Sequence, residues 1–259
     1  MPEGDSIFRV AAAMRPHLLD RTLRRVRAGG TEHPALAGQR VVSIEPVGKH
    51  LLITTERGTV IRSHLGMNGR WYRHPVTAPP RHAPMASLLL ETDTDVLTCV
   101  RAADVEIRDR RDPRYGAAIA RLGPDILGAT FDMTETLARA RSLPADTPAA
   151  SLLLDQKVAC GIGNIYKCES LFLEGVHPTR LVKDLDDATI ERLFLRARTL
   201  MRANLQPGKR RTRGARESTR YWVYRRGGEP CHNCRTPIVS RVDGGEQRRT
   251  YWCPTCQPA

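Results

Sequence analysis

Both ends of this chain carry residue types that can do chemistry. It begins Met1-Pro2-Glu3-Gly4-Asp5-Ser6. No targeting signal precedes these residues, so they are expected to form the true amino terminus. Proline in second place permits removal of Met1, which turns the ring nitrogen of Pro2 into a free secondary amine. An α-amino group titrates near ~7.7–8.0, against ~10.4 for a lysine, so part of it is unprotonated and nucleophilic at neutral pH. Glu3 follows at once. A nucleophile beside an acid/base is the minimum for imine chemistry on a carbonyl. Pro-Glu equally suits the first turn of a helix.

At the other end, Cys231-His232-Asn233-Cys234 and Cys253-Pro254-Thr255-Cys256 form two C-x2-C pairs separated by 18 residues. Each pair can grip one side of a tetrahedral zinc ion, and the interval suits a β-hairpin that folds back. Four thiolates (Cys231, Cys234, Cys253 and Cys256) close the coordination sphere, so one structural Zn²⁺ is expected. His232 is a bystander to the metal. Arg248, Arg249, Tyr251 and Trp252 precede the second pair, and arginine at a hairpin suits phosphate.

Two internal stretches add to this. Asp155-Gln156-Lys157-Val158-Ala159-Cys160-Gly161-Ile162-Gly163-Asn164-Ile165-Tyr166 places two glycines and an asparagine between helical segments. Amides opening the next helix favour an anion, and Asn164 can donate from its side chain. In Gly48-Lys49-His50-Leu51-Leu52 a lone lysine lies between β-like runs. Lys49 there protects a sheet edge or points into a charged cleft.

These residues need elements to position them. Asp5 or Ser6 can cap a first helix with Ile7, Val10, Ala11, Met14 and Leu18 at helical spacing. Residues 22–109 read as eight short strands (TLRRVRA, RVVSIEPV, HLLITT, TVIRSHL, RWYR, SLLLET, VLTCVR, DVEIRD), an antiparallel sandwich or barrel. The Pro-rich stretch 74–84 is a surface loop. After a linker at 123–132 the pattern turns helical, with helices over 133–142, 151–158, 165–173 and 186–205. Residues 207–220 read as a mobile basic loop, and the Gly-rich remainder carries the metal motif. The expected fold is therefore α+β and multidomain. A catalytic β domain spans 1–122 and a helical domain 133–220, with a zinc finger over 221–259.

Composition narrows the partners. Net charge is +13, and only five of 41 basic residues are lysine. Codon bias explains arginine in place of lysine but not an excess of charge. Residues 201–259 hold 13 basic and 4 acidic residues, a net +9, which points to a polyanion. No apolar run approaches the ~20 residues of a membrane span, and a cytoplasmic location is expected. Seven cysteines with no secretory context argue against a disulfide framework. Cys99, Cys160 and Cys168 read as buried thiols.

Taken together these stretches resemble the formamidopyrimidine-DNA glycosylase / endonuclease VIII family of base-excision repair enzymes. The resemblance spans the chain. It rests on Pro2-Glu3-Gly4, Gly48-Lys49, His64-Leu65-Gly66-Met67-Asn68-Gly69, Asp112-Pro113-Arg114-Tyr115-Gly116, the segment 156–172, and the final hairpin ending Cys-Pro-x-Cys-Gln257. It implies an N-terminal β-sandwich, a helix–two-turns–helix domain and a zinc finger, with DNA between the domains. Pro2 would attack C1′ of the damaged nucleotide and form a Schiff base, and Glu3 would shuttle protons. Lys49, Asn164 and Arg248 would bind the flanking phosphates. Met67 would plug the duplex, and Arg114 would also lie against DNA. The physics is consistent. An enzyme acting on C1′ must flip the base out, and an unbranched apolar side chain fills the irregular void. An imine acidifies the C2′ proton, so strand cleavage by β,δ-elimination follows base loss.

Some positions depart from the family's pattern. Asp5 and Ser6 replace the proline and glutamate of Pro-Glu-x-Pro-Glu forms. The Asp-Pro-Arg-Tyr-Gly run is one residue shorter than in the purine-specific branch. The Gly-Gly-Thr-Thr-Leu loop start is missing between Leu205 and Tyr221. The resemblance is therefore to the endonuclease VIII branch, which implies oxidised pyrimidines in double-stranded bacterial DNA as substrate and a monomeric enzyme. The alternatives are an 8-oxoguanine-type glycosylase of the same family and, from another class, a non-catalytic zinc protein that binds nucleic acid.

Overall fold

In the computed structural model, residues 2–78, 80, 83–112, 116–243 and 248–259 are described. The chain divides into two compact units, Met1–Arg121 and Leu122–Ala259.

The first unit opens with helix α1 (Gly4–Leu18). Its spacing buries Ile7, Ala11, Met14 and Leu18 along one stripe, as an amphipathic helix on a core requires. Pro16 falls in the last turn, where the helix ends. Nine strands follow among the described residues: β1 (Arg25–Ala28), β2 (Thr31–Glu32), β3 (Val41–Val47), β4 (His50–Thr55), β5 (Thr59–His64), β6 (Arg70–Pro75), β7 (Ala86–Glu91), β8 (Asp95–Val100) and β9 (Asp104–Asp109). The eight expected runs all appear, and the two-residue β2 is additional. They form two antiparallel sheets, ordered β2-β1-β7-β8-β6 and β3-β4-β5-β9. Val26, Leu88, Leu90 and Leu97 from one sheet and Ile44, Leu51, Ile53 and Ile61 from the other share a single apolar core with α1. The architecture is a sandwich, not a barrel, because none of these strands is shared between the sheets. α1 packs against β3 and β4. A one-turn helix, α2 (Ala117–Ala120), ends the unit.

The second unit carries α3 (Met133–Arg141), α4 (Ala149–Leu154), α5 (Asn164–Leu173) and α6 (Asp187–Arg202), then a hairpin of β10 (Val239–Asp243) and β11 (Arg248–Trp252). Asp132 and Asp186 cap α3 and α6 by accepting the amides of Glu135 and Thr189 at 2.9 and 2.8 Å. Ile190, Leu193, Phe194, Ala197 and Met201 form the buried face of α6.

Three local expectations are corrected. The helix expected over 151–158 starts at Ala149 and stops at Leu154. There the Asp155 carboxylate accepts the Lys157 amide at 2.8 Å, an Asx turn that competes with helix continuation. Residues 207–220, expected to be mobile, are tied down. Asn204 accepts the Arg211 amide at 2.8 Å and donates to the Arg211 carbonyl at 2.7 Å. Residues 123–132, expected as a linker, pack into the second unit. Ile126 is fully buried, and the Gly123 amide donates to the Gln156 carbonyl at 2.9 Å. Among the described residues, no helix is long and apolar enough to cross a membrane.

Candidate active site and nucleic-acid interface

In the first unit, Pro2 is half-buried and Glu3 has no exposed surface. Glu3 is the N-cap of α1, with its carbonyl accepting the Ser6 and Ile7 amides at 2.8 and 3.2 Å. A carboxylate is therefore held at the positive end of a helix, one residue from Pro2. Asp5 is also fully buried, 3.7 Å from Arg9 one turn on. The departure from the family's pattern at that position thus supplies a helix-start acid.

Lys49 lies in the two-residue loop joining β3 to β4, where Val47 pairs with His50. Gly48 takes φ 55°, as the first position of a primed hairpin loop requires. Two histidines to which the motifs alone gave no role flank Lys49. His50 and His64 pair across β4 and β5 with ring centroids 4.8 Å apart. Arg62 reaches the His50 Nδ1 at 3.2 Å and pairs with Asp104 and Glu106. Burial, then His64 and Arg62, hold the His50 imidazole down at about 4. Burial, then Lys49 and Arg62, lower His64 too. Both rings are thus neutral at pH 7.

This arrangement has a stability consequence. An unfolded histidine titrates near ~6.5, so between pH 6.5 and 4 the unfolded chain binds a proton that native His50 refuses. Stability is lost as pH falls through that window. Denaturant unfolding at pH 7 and 4.5 should show His50→Gln losing about 2 kcal/mol less than the wild type on acidification. Equal losses in both proteins would remove His50 from this role.

Met67 caps the loop between β5 and β6 and is 64% exposed, while its neighbour Leu65 is buried. Glycine is required at both ends of this tip. A Cβ on Gly66, at φ 60°, would lie 2.6 Å from the Ala103 Cβ, and one on Gly69 would lie 2.3 Å from the Leu65 carbonyl oxygen. Arg114 lies outside the described residues.

In the second unit the Gly-rich turns place Asn164 at the first position of α5, with Gly163 as N-cap. Gln156 braces the turns by accepting the Gly161 amide at 3.0 Å and donating to the Leu154 and Ile162 carbonyls at 2.6 and 3.1 Å. Asn164 is brought to β11, where its amide nitrogen donates to the Arg249 carbonyl at 2.9 Å. That uses one of its two N–H groups and leaves the other for a ligand. Arg248 is the first residue of β11 and is half-buried.

α5 is buried along almost its whole length, polar residues included. The Glu169 carboxylate accepts the Trp222, Val223 and Tyr224 amides at 2.8, 2.9 and 2.8 Å and the Thr212 hydroxyl. Burial pushes its pKa up against those bonds. The sequence signal was present but unread: a lysine and a glutamate inside an apolar helix must find partners.

The four cysteine sulfurs lie within 4.8 Å of one another, so they could hold a metal ion. Sγ separations are 3.4 Å for Cys234–Cys253, 3.5 Å for Cys234–Cys256 and 3.9 Å for Cys231–Cys256. A tetrahedral ion with metal–sulfur bonds of ~2.3 Å has edges of roughly 3.8 Å, so the cluster fits. His232 lies between Cys231 and Cys234 in sequence and faces away from the four sulfurs. Its Nε2 meets Arg213 and Thr219 at 3.1 and 2.9 Å, and Arg213 stacks on Trp222 at 4.8 Å. The loop 207–220 is therefore pinned to the cysteine knuckle. Of the cysteines outside the motif, Cys99, Cys160 and Cys168 are all buried, and burial pushes the Cys99 thiol up to about 12.

A β-sandwich followed by a helical unit ending in a four-cysteine hairpin defines a known architecture. The formamidopyrimidine-DNA glycosylase N-terminal domain model matches residues 1–113, and the H2TH domain model of the same glycosylase matches residues 122–215. The chain belongs to the formamidopyrimidine-DNA glycosylase / endonuclease VIII family. It is 38% identical to Endonuclease 8 2 of Mycobacterium tuberculosis, over 99% of this chain and all of that one. It is 39% identical to the DNA-(apurinic or apyrimidinic site) lyase Nei2 of Mycolicibacterium smegmatis, over the full length of both. Among solved structures, the MutM (Fpg) protein from Thermus thermophilus superposes with a TM-score of 0.78 at 28% identity, covering 99% of this chain and 98% of that one. The Lactococcus lactis enzyme bound to abasic-site DNA reaches 0.83 at 20% identity, covering 99% and 100%, a likeness of fold.

Proposed function

We propose that this chain is a bifunctional DNA glycosylase/AP lyase of base-excision repair, acting in the bacterial cytoplasm as a monomer on double-stranded DNA. The observation that carries the reading is a Pro-Glu pair opening a helix, with the carboxylate wholly buried, in a chain of this family. Once Met1 is removed, the Pro2 nitrogen attacks C1′ and the C1′–N glycosidic bond breaks, its electron pair leaving with the protonated base. Glu3 moves the protons that open the deoxyribose ring to an iminium. Loss of the C2′ proton expels the 3′ phosphate, a second elimination expels the 5′ phosphate, and water hydrolyses the imine to free the amine. Lys49 in the first unit, and Asn164 and Arg248 in the second, supply the phosphate contacts. Met67, exposed on a tight loop, is suited to fill the space of an extruded base. One zinc ion held by Cys231, Cys234, Cys253 and Cys256 fixes the hairpin that carries Arg248 and takes no part in the chemistry.

Oxidised pyrimidines are the favoured substrates. Support comes from the Pro-Glu-Gly start, from the missing purine-loop motif and from relatives named Endonuclease 8 2. Duplexes carrying 5-hydroxyuracil, thymine glycol or 8-oxoguanine, offered to the full chain, test this. Faster release of the pyrimidines is expected. Preferential release of 8-oxoguanine would place the chain in the purine branch, and binding with no strand cleavage would make it a non-catalytic nucleic-acid-binding protein.

A further inference from the structure

Lys167 is one of the largest fully buried side chains in the molecule, at 1% exposure. It lies on α5, one turn beyond Asn164. Its Nζ donates to the Thr250 hydroxyl on β11 at 2.8 Å, a contact between residues 83 apart in sequence. Potential acceptors on its own helix go unused. The Asn164 Oδ1 and Ser170 Oγ, a turn to either side, are buried with no hydrogen-bond partner among the described residues. A lysine nitrogen has three donors, so burying one against a single hydroxyl is a poor way to stabilise a fold. It is an effective way to set register. Thr250 is itself buried and shares a face of β11 with Arg248, two residues away. Next to it, the Arg249 carbonyl takes the Asn164 amide. Residues 164 and 167 of α5 therefore grip residues 249 and 250 of β11 at two points.

We infer that Lys167 is a positioning residue for DNA binding: through Thr250 it locks β11 against α5 so that Arg248 and Asn164 meet the nucleic-acid backbone as one unit. This rests on the DNA-binding reading above. Without the Lys167 contact, one of these two hydrogen bonds remains, at Asn164, beside the apolar cluster that Ile165, Cys168 and Phe172 share with Tyr251 and Cys253, and the Arg248 end of β11 is held less firmly. The expected loss is of a phosphate grip and not of the fold.

The test uses the full-length metal-loaded chain and a duplex carrying a tetrahydrofuran abasic analogue. Wild type, Lys167→Met, Thr250→Val and the double variant are compared for affinity across a salt series, thermal midpoint, and single-turnover adduct formation at saturating enzyme on abasic DNA. Each single variant should bind about tenfold more weakly, with a salt slope shallower by ~0.9, one phosphate contact fewer. The double variant should be no worse than either single one. Midpoints should be unchanged or higher, and the saturated single-turnover rate unchanged. Wild-type affinity and slope in Lys167→Met would overturn the inference. So would weakened binding that tracks a fall in midpoint and adds up in the double variant. A wild type with no salt-dependent binding would overturn the DNA-binding reading itself, and this inference with it.

Discussion

Blocking the amino terminus should abolish turnover. A form that keeps Met1, or whose Pro2 nitrogen is acetylated, is expected to yield no borohydride-trapped adduct with abasic DNA, and its strand cleavage should fall by at least about 10³-fold. A positioned nucleophile and its acid/base partner contribute on that scale. The reason is the special titration of a terminal amine. Part of it is unprotonated near neutrality, whereas an ordinary lysine amine, titrating near ~10.4, is almost wholly protonated there. Glu3→Gln tests the other half of the pair. Glu3 is fully buried at the head of α1, so the amide should be accommodated with DNA affinity intact. Base excision should fall by about 10²–10⁴-fold, the usual contribution of a general acid/base. Full-speed nicking by the blocked form would discard Pro2 as the nucleophile. Wild-type excision by Glu3→Gln would remove the carboxylate from the reaction.

The second large effect concerns the metal. Elemental analysis should find one equivalent of zinc. Its removal by chelation, or Cys253→Ser, should melt the β10–β11 hairpin and weaken DNA binding by at least about 100-fold. Apparent zinc-binding energies for small structural sites reach about 10–16 kcal/mol, more than such a hairpin can supply from its own packing. The damage should spread beyond the hairpin. Cys231 and Cys253 share an apolar cluster with Ile165, Phe172, Val223 and Tyr224, so these cysteines are part of the floor under α5. Gln257 extends the link by accepting the Cys253 amide at 3.0 Å and donating to the Val176 carbonyl at 2.8 Å. Undiminished affinity in stripped protein that is shown to contain no metal would contradict this account.

The sequence by itself determined what depends on near neighbours. Strand runs over 22–109 announced themselves because short β-prone runs are punctuated by turn residues. The helical stripe of α1 followed from Ile7, Ala11, Met14 and Leu18. The four-cysteine cluster could be read because C-x2-C is a local geometry. The Pro-Glu pair at positions 2 and 3 needed no fold to be noticed. Tertiary structure decided which buried polar groups meet. His50 and His64 face each other only because β4 and β5 pair in that register. Glu169 gathers the amides of residues 222–224, more than fifty positions away. Lys167 takes Thr250, although Asn164 and Ser170 are nearer in sequence. Local pattern fixes which face of an element turns inward. Once inside, an uncompensated donor or acceptor must be satisfied by whatever the rest of the chain brings against it, and that choice belongs to the packed unit as a whole.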